Sequence, residues 1–452
     1  MTETIAVFDI GKTNKKILLF DRNLDLVFEQ ETKFPEIKDE EGFECDDVGK
    51  IEDWITETLH WFEGNSKYRV KAVNFATYGA TLMYLDDAGK ALTPAYNYLK
   101  PMPGGIAAGL YERFGGVEEF SRRTASPALG FLNSGLQILW LKKTRPALFS
   151  AVRNILHFPQ YFSHLLTGKT VSEHTSTGCH TAMWDFDNMA YHPWLEDEGI
   201  SLPDPVSCKI TFPLIDGKFK FMAGTGIHDS SASLAPYIMK SSEKFILLST
   251  GTWCINMNPF NHEPLTGEQL ENDCLAYMSI NRKPVKSSRL FMGHIHDVNL
   301  DRINAHFNAD KQAYRNIAPD KELIRRLSGS GEVFFKNGVP EDYVDREVSL
   351  ADFSGLEEAY HRLVLDLASL CVKSINFILP ENDDTKTVFI SGGFAKNEIF
   401  LRMLADKLGN KRIYTSEIEN ATALGAAMVV YEEAMEASMP EIDLGLKEWV
   451  KL

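Results

Sequence analysis

Several absences narrow what this chain can do. No apolar run reaches membrane-spanning length, and the N-terminal MTETIAVFDIG has neither a basic flank nor a long apolar core. A membrane partner and a secretory leader are therefore not expected, and the chain reads as cytoplasmic. The six cysteines, at 45, 179, 208, 254, 274 and 371, include no CxxC pair, which excludes a cysteine zinc site and a disulfide framework. An excess of positive charge is also missing. With 47 Lys and Arg against 63 Asp and Glu the net charge is −16, which argues against nucleic acid as a partner. What remains is an ordinary globular composition, 44% hydrophobic and 24% charged over 452 residues, enough for two or three domains with large cores.

The stretch from 221 to 255, FMAGTGIHDSSASLAPYIMKSSEKFILLSTGTWCI, carries the clearest chemical signal. Two short Gly-rich turns, GTG at 224–226 and STGTW at 249–253, stand about a helix's length apart. Glycine lets backbone approach a phosphate because no Cβ intervenes. Between the turns lies one carboxylate, Asp229, preceded by His228 and followed by small residues that suit a helix start. Asp229 reads either as a helix cap or as the base that takes a proton from an attacking hydroxyl.

The same device recurs. TIAVFDIGKTNKKILLF at 4–20 predicts two strands around Gly11, with Asp9 as the polar exception and Thr13, Asn14 and Lys16 after the turn. KFILLSTGTWCINM at 244–257 repeats that layout around Gly251 and Thr252, which suggests a duplicated architecture presenting two turns to one cleft. Strand, polar turn and strand are expected over 70–87, with Gly79 in the turn, followed by a tyrosine-rich loop at 93–105. Helices are expected at 134–143, at 152–166 with a bend at Pro159, and at 356–379. The polar segment 174–186 suits a cleft wall. Residues 259–345 read as loop-rich and carry no functional signal. TVFISGGF at 387–394 runs from a buried strand into Gly392 and Gly393 and then a helix, a phosphate-binding geometry that matches neither GxGxxG nor GxxxxGK(S/T). The small-residue helix ENATALGAAMVVYEEA can pack very closely.

Taken together, DIGKTNKK at 9–16, LGFLNSGLQILWLKKTRPALF at 129–149, YFSHLLTGK at 161–169, GTGIHDSSAS at 224–233, STGTW at 249–253, SGGFAKNEIFLRMLADKLG at 391–409 and ENATALGAA at 419–427 resemble the FGGY carbohydrate kinases of the actin-like ATPase superfamily. HDSSAS followed by STGTW looks most like the rhamnulokinase branch. The resemblance implies an α/β fold of two ribonuclease-H-like domains with a central cleft: 1–241 on the sugar side, 242–436 on the ATP side, and a tail at 437–452. It implies ATP-dependent phosphorylation of a ketose, an L-ketohexose such as L-rhamnulose or L-fuculose. The alternatives are another pentulose or polyol kinase, such as a xylulokinase, or a sugar-binding regulator with decayed activity. A homodimer is compatible with it.

By matching motif positions, Asp229 is the expected general base and Asp9 the residue that holds Mg²⁺ through water. Thr13, Asn14, Lys16, Gly251 and Thr252 would line the phosphates of ATP, and Gly392, Gly393, Phe394 and Asn397 would border the adenosine. Gly79, His228, Tyr96 and Asn97 would touch the sugar. One departure stands out. Where the family has Trp-x-Asp-x-Arg, this chain has Tyr96-Asn97-Tyr98-Leu99-Lys100, so two polar sugar contacts are lost or replaced by Asn97 and Lys100. GKTN adds Lys12, read as a phosphate contact or a solvated lysine.

Overall fold

The computed structural model describes every residue except 216, 218, 332 and 452. The N-terminal apolar alternation forms an antiparallel hairpin, Thr2–Ile10 with Lys15–Asp21. Both strands are buried nearly throughout, as expected of strands covered on both faces. Strand Tyr68–Thr77 pairs in parallel with Thr2–Ile10 on its other edge. The resulting seven-stranded sheet runs in the order 211–213, 222–224, 68–77, 2–10, 15–21, 26–32, with Ile227–His228 also paired to the end of 68–77.

A second seven-stranded sheet repeats the scheme. Phe245–Thr250 and Cys254–Asn258 form the hairpin around Gly251, and Thr387–Gly392 pairs in parallel with Phe245–Thr250. Each half thus places a glycine turn at the end of a central hairpin, which is the duplicated α/β architecture expected from the two motifs.

Two local expectations change. The segment expected to be helical from 152 first forms a strand, Asn154–His157, which pairs with Leu82–Leu85. Its helix begins only at Phe158, with Pro159 in the first turn, where a missing N–H costs nothing, and Gly168 closes it in a left-handed conformation. Residues 259–345 are loop-rich only in part, mainly over 308–320 and 333–345. They supply strands Cys274–Met278 and Pro284–Leu290 and helix Met292–Phe307, whose Asn and His content masks the periodicity.

Helix Ala421–Met435 packs on helix Asp229–Lys240 and on strands 2–10 and 68–77, so the first sheet is covered from both ends of the chain. A Cβ on Gly425 would stand 1.9 Å from the Ala232 carbonyl oxygen, which is why this helix is built from small residues. Asn74 locks the contact. Its amide donates to the Ala426 carbonyl at 2.8 Å and its oxygen accepts from Gly226 N–H at 3.1 Å.

Helix propensity alone favours Gly425→Ala by about 1 kcal/mol. Overpacking against a backbone carbonyl opposes it by about 1–3 kcal/mol. Urea unfolding is expected to show Gly425→Ala less stable than wild type; a gain in midpoint would mean that the two helices are not in close contact.

Candidate active site

Asp9 and Asp229 stand at the same end of strand Tyr68–Thr77, one on each side. Asp9 pairs with Ala76 from one neighbouring strand, and His228, just before Asp229, pairs with Thr77 from the other. Two strand spacings separate them, roughly 10 Å. Burial raises the Asp9 carboxyl to about 7, the Asp229 charge adds to the rise, and Lys16, its partner across the hairpin, opposes it. Burial raises Asp229 to about 6, against the hydrogen bonds from Ser230. The Asp229 side chain nevertheless keeps 35% of its surface open.

Asp229 is the first residue of its helix, directly after His228 at the N-cap. Its Oδ1 accepts the Ser230 N–H at 2.6 Å and lies 3.2 Å from His228 Nε2. Oδ2 has no partner among the described residues. His228 Nε2 is also 3.1 Å from Cys179 Sγ, and burial lowers the imidazole to about 4, so the ring is neutral at physiological pH. A Cβ on Gly79 would press within 3.1 Å of that ring, so glycine is needed where the 77–79 turn passes. Gly79, His228 and Asp229 therefore lie together.

The 96–100 loop behaves differently. Tyr96 is 0% exposed and packs edge-on against Trp140 at 5.0 Å. Asn97 donates to the Glu44 carbonyl and caps its own turn through Leu99 N–H. Lys100 is buried, bonded to Asp39 at 2.6 Å and Glu41 at 2.8 Å. Tyr96 and Lys100 are thus engaged inside the fold, while Asn97 holds its two bonds near the surface. Tyr98 is the loop's open aromatic residue: its ring lies 5.9 Å from Tyr78, and its hydroxyl feels the Asp229 charge.

In the first turn, Gly11 N–H bonds the Asn14 carbonyl at 3.0 Å, Thr13 is exposed, and Asn14 Oδ1 is buried without a partner. Lys16 donates to Glu29 at 2.7 Å and Asn420 at 3.1 Å. Lys12 fits neither reading offered by the sequence. With Lys15 and Tyr78 it donates to the buried carboxylate of Asp46, at 2.9, 2.6 and 2.6 Å respectively. Burial would raise Asp46, but these bonds outweigh it and hold the carboxyl below its usual range. This hub ties the 11–14 turn to the 77–79 turn.

On the second sheet, Gly251, Thr252, Gly393, Phe394 and Asn397 line one cavity of about 800 Å³, within the range of small-molecule sites. Gly392 sits just behind it at φ +85°, where a Cβ would strike the Thr250 carbonyl at 1.9 Å. Asn397 caps the following helix and donates to Tyr360 Oη at 2.8 Å. His296, Tyr314 and Arg315 complete the wall, and Gly293 lets the helix at 292–307 touch the Gly251 turn. These come from the region in which the sequence showed no function; Gly293, directly after Phe291 and Met292, was the available signal.

Among the described residues no group of three or more His, Cys, Asp or Glu could hold a metal ion. One buried carboxylate without a cation still suits Mg²⁺, which commonly takes one or two carboxylates and completes its shell with water and phosphate.

The FGGY family of carbohydrate kinases matches through its N-terminal domain over residues 4–200 and its C-terminal domain over residues 351–431. A rhamnulokinase of Halalkalibacterium halodurans is 24% identical, covering 94% of this chain and 92% of its own length. Among solved structures, a carbohydrate kinase from Novosphingobium aromaticivorans superposes with a TM-score of 0.81 at 22% identity, covering 100% of this chain and 95% of that one. A xylulose kinase from Lactobacillus acidophilus gives 0.75 at 16%, covering 100% and 94%.

The Asp229 shift fixes a sign for stability. A free Asp ionises near 3.8 and the folded one near 6, so between these values the folded state keeps a proton that the unfolded chain has lost. Its stabilising contribution is complete below the lower value and is lost as pH rises through the upper one. Without Mg²⁺ or nucleotide, Asp229→Asn is expected to melt above wild type at about pH 8 and close to it at about pH 4. An equal offset at both pH values would contradict the raised carboxyl.

Proposed function

The chain belongs to the FGGY family of carbohydrate kinases, and on that premise we propose that it transfers the γ-phosphoryl group of ATP to a hydroxyl of a ketose, an L-ketohexose such as L-rhamnulose or L-fuculose, with Asp229 as general base. The carrying observation is the asymmetry of the Asp229 carboxyl. Oδ1 is held by Ser230 and faced by His228, while Oδ2 has no partner and the group's proton affinity is raised. A base tuned towards neutrality with one free oxygen is suited to accept the proton of an attacking hydroxyl.

The units proposed for this work are 1–241 on the sugar side and 242–436 on the nucleotide side, with 437–452 as a tail. Asp9 would hold Mg²⁺ through water, and the ion, when bound, offsets the charge of the donor phosphates. Thr13, Asn14 and Lys16 line those phosphates from the first turn, and Gly251 and Thr252 from the second. Gly392, Gly393, Phe394 and Asn397 border the adenosine, within or beside the cavity on the second sheet. Gly79 and His228 lie against the sugar. Tyr98, beside Tyr78, offers an apolar face to the 6-methyl of a deoxy sugar.

Coupled ADP release with Mg-ATP over L-rhamnulose, L-fuculose, D-xylulose and glycerol tests the substrate. A 6-deoxy ketose is expected to exceed the others in kcat/KM by at least about ten-fold, the effect of one well-placed methyl group. A higher value for D-xylulose or glycerol would replace the L-ketohexose reading with a pentulose or polyol kinase.

A further inference from the structure

We propose that polar recognition of the sugar has moved from the 96–100 loop to the second sheet, where Arg289, fixed by Asp273 and Trp253, faces the substrate. The inference rests on the sugar-kinase reading and names a specificity-determining residue for it. A sugar pocket needs oriented donors. On the loop, Asn97 is bonded to the Glu44 carbonyl and to its own turn, and Lys100 cannot turn outward without leaving the buried Asp39 carboxylate unpaired.

The sheet register shows which way Arg289 faces. It lies directly across from Ile255, just beyond the Gly251 turn. Val285, Ser287 and Arg289 alternate onto one face of their strand, and Tyr277 pairs with Val285 on that face. Tyr277 meets the His228 ring edge-on at 6.4 Å and packs in one cluster with Cys179 and Leu234 of the first half. The face bearing Arg289 is therefore the one turned towards the helix of Asp229. His180 stands opposite. Its proton affinity is lowered to about 3, mainly by burial and then by the charges of His228 and Arg289, and its backbone is held at a strained φ of +39°.

The guanidinium is preorganised. Nε and Nη2 both donate to Asp273 Oδ1, and the group lies 5.5 Å from the centre of the Trp253 ring. Trp253 is stacked on Phe291 at 4.3 Å and remains 42% exposed. Arg289 Nη1 has no partner among the described residues, and the side chain is 24% exposed. Fixed N–H donors beside an open indole suit a neutral polyhydroxy sugar, whose C–H face lies on Trp253 while its hydroxyls accept from Arg289. Asp273 cancels the positive charge, so the site favours hydroxyls over the carboxylate of a sugar acid.

Steady-state kinetics on L-rhamnulose, or on whichever panel sugar wild type turns over fastest, test this in Arg289→Ala, Arg289→Lys and Trp253→Ala. Arg289→Ala is expected to raise the sugar KM at least about ten-fold, as for a lost charged hydrogen bond, with the ATP KM within about two-fold of wild type as the check on folding. Arg289→Lys should not restore the sugar KM, because an ammonium lacks the fork and the stack. Trp253→Ala should raise it as well. An unchanged sugar KM in Arg289→Ala, a fall in kcat alone, or a preference for D-gluconate over every neutral sugar would overturn the inference and leave the kinase reading standing. If wild type phosphorylated no sugar of the panel, the kinase reading would fall and take the inference with it.

Discussion

Two carboxylates held at the end of one buried strand, with no lysine or arginine paired to either among the described residues, set the terms for the rest of the molecule. Asp9 and Asp229 repel each other and resist ionisation, and a fold selected for stability alone would not retain them. Strain of this kind is tolerated where function requires it. Lys16, the natural counter-charge for Asp9, is drawn instead to Glu29 and Asn420. Both carboxylates are thereby left without a close counter-charge, as the proposed metal and base roles require.

Close backbone approach is the means by which this site is built. The helix carrying Asp229 is seated by Gly425 against the Ala232 carbonyl, the 77–79 turn reaches His228 through Gly79, and the Gly251 turn is crossed by Gly293 and backed by Gly392. At each point a side chain would push apart two elements whose spacing positions a polar group. The Asp46 hub does the corresponding work electrostatically, joining the first turn to the 77–79 turn through Lys12, Lys15 and Tyr78.

Much of this was legible in the sequence because it depends on local pattern. The two hairpins, their glycine turns, Asp9, Asp229 and the strand before Gly392 follow from apolar alternation broken by single polar or glycine residues. The belonging to the FGGY kinases followed from the order of the motifs. Long-range partners were not legible. Nothing near Lys12 or Lys100 announces Asp46 or Asp39, so a lysine bonded inside the fold reads as a solvated or ligand-binding one. Tyr96 and Tyr98 flank the start of a turn, one buried and one partly open, and their identical side chains hide that difference in the sequence. Helix Met292–Phe307 was missed because its buried face carries His296, Asn299 and Asn304 among the apolar residues.

The base assignment is the claim on which the functional reading turns. Single-turnover transfer from γ-labelled ATP to sugar, measured in wild type and Asp229→Asn at saturating ligand, tests it most directly, with nucleotide and sugar binding measured separately by calorimetry. Loss of a general base should slow transfer by about 10²–10⁴-fold while both binding constants stay near wild type. Transfer at the wild-type rate in Asp229→Asn would remove Asp229 from the chemistry and leave its raised carboxyl without a function.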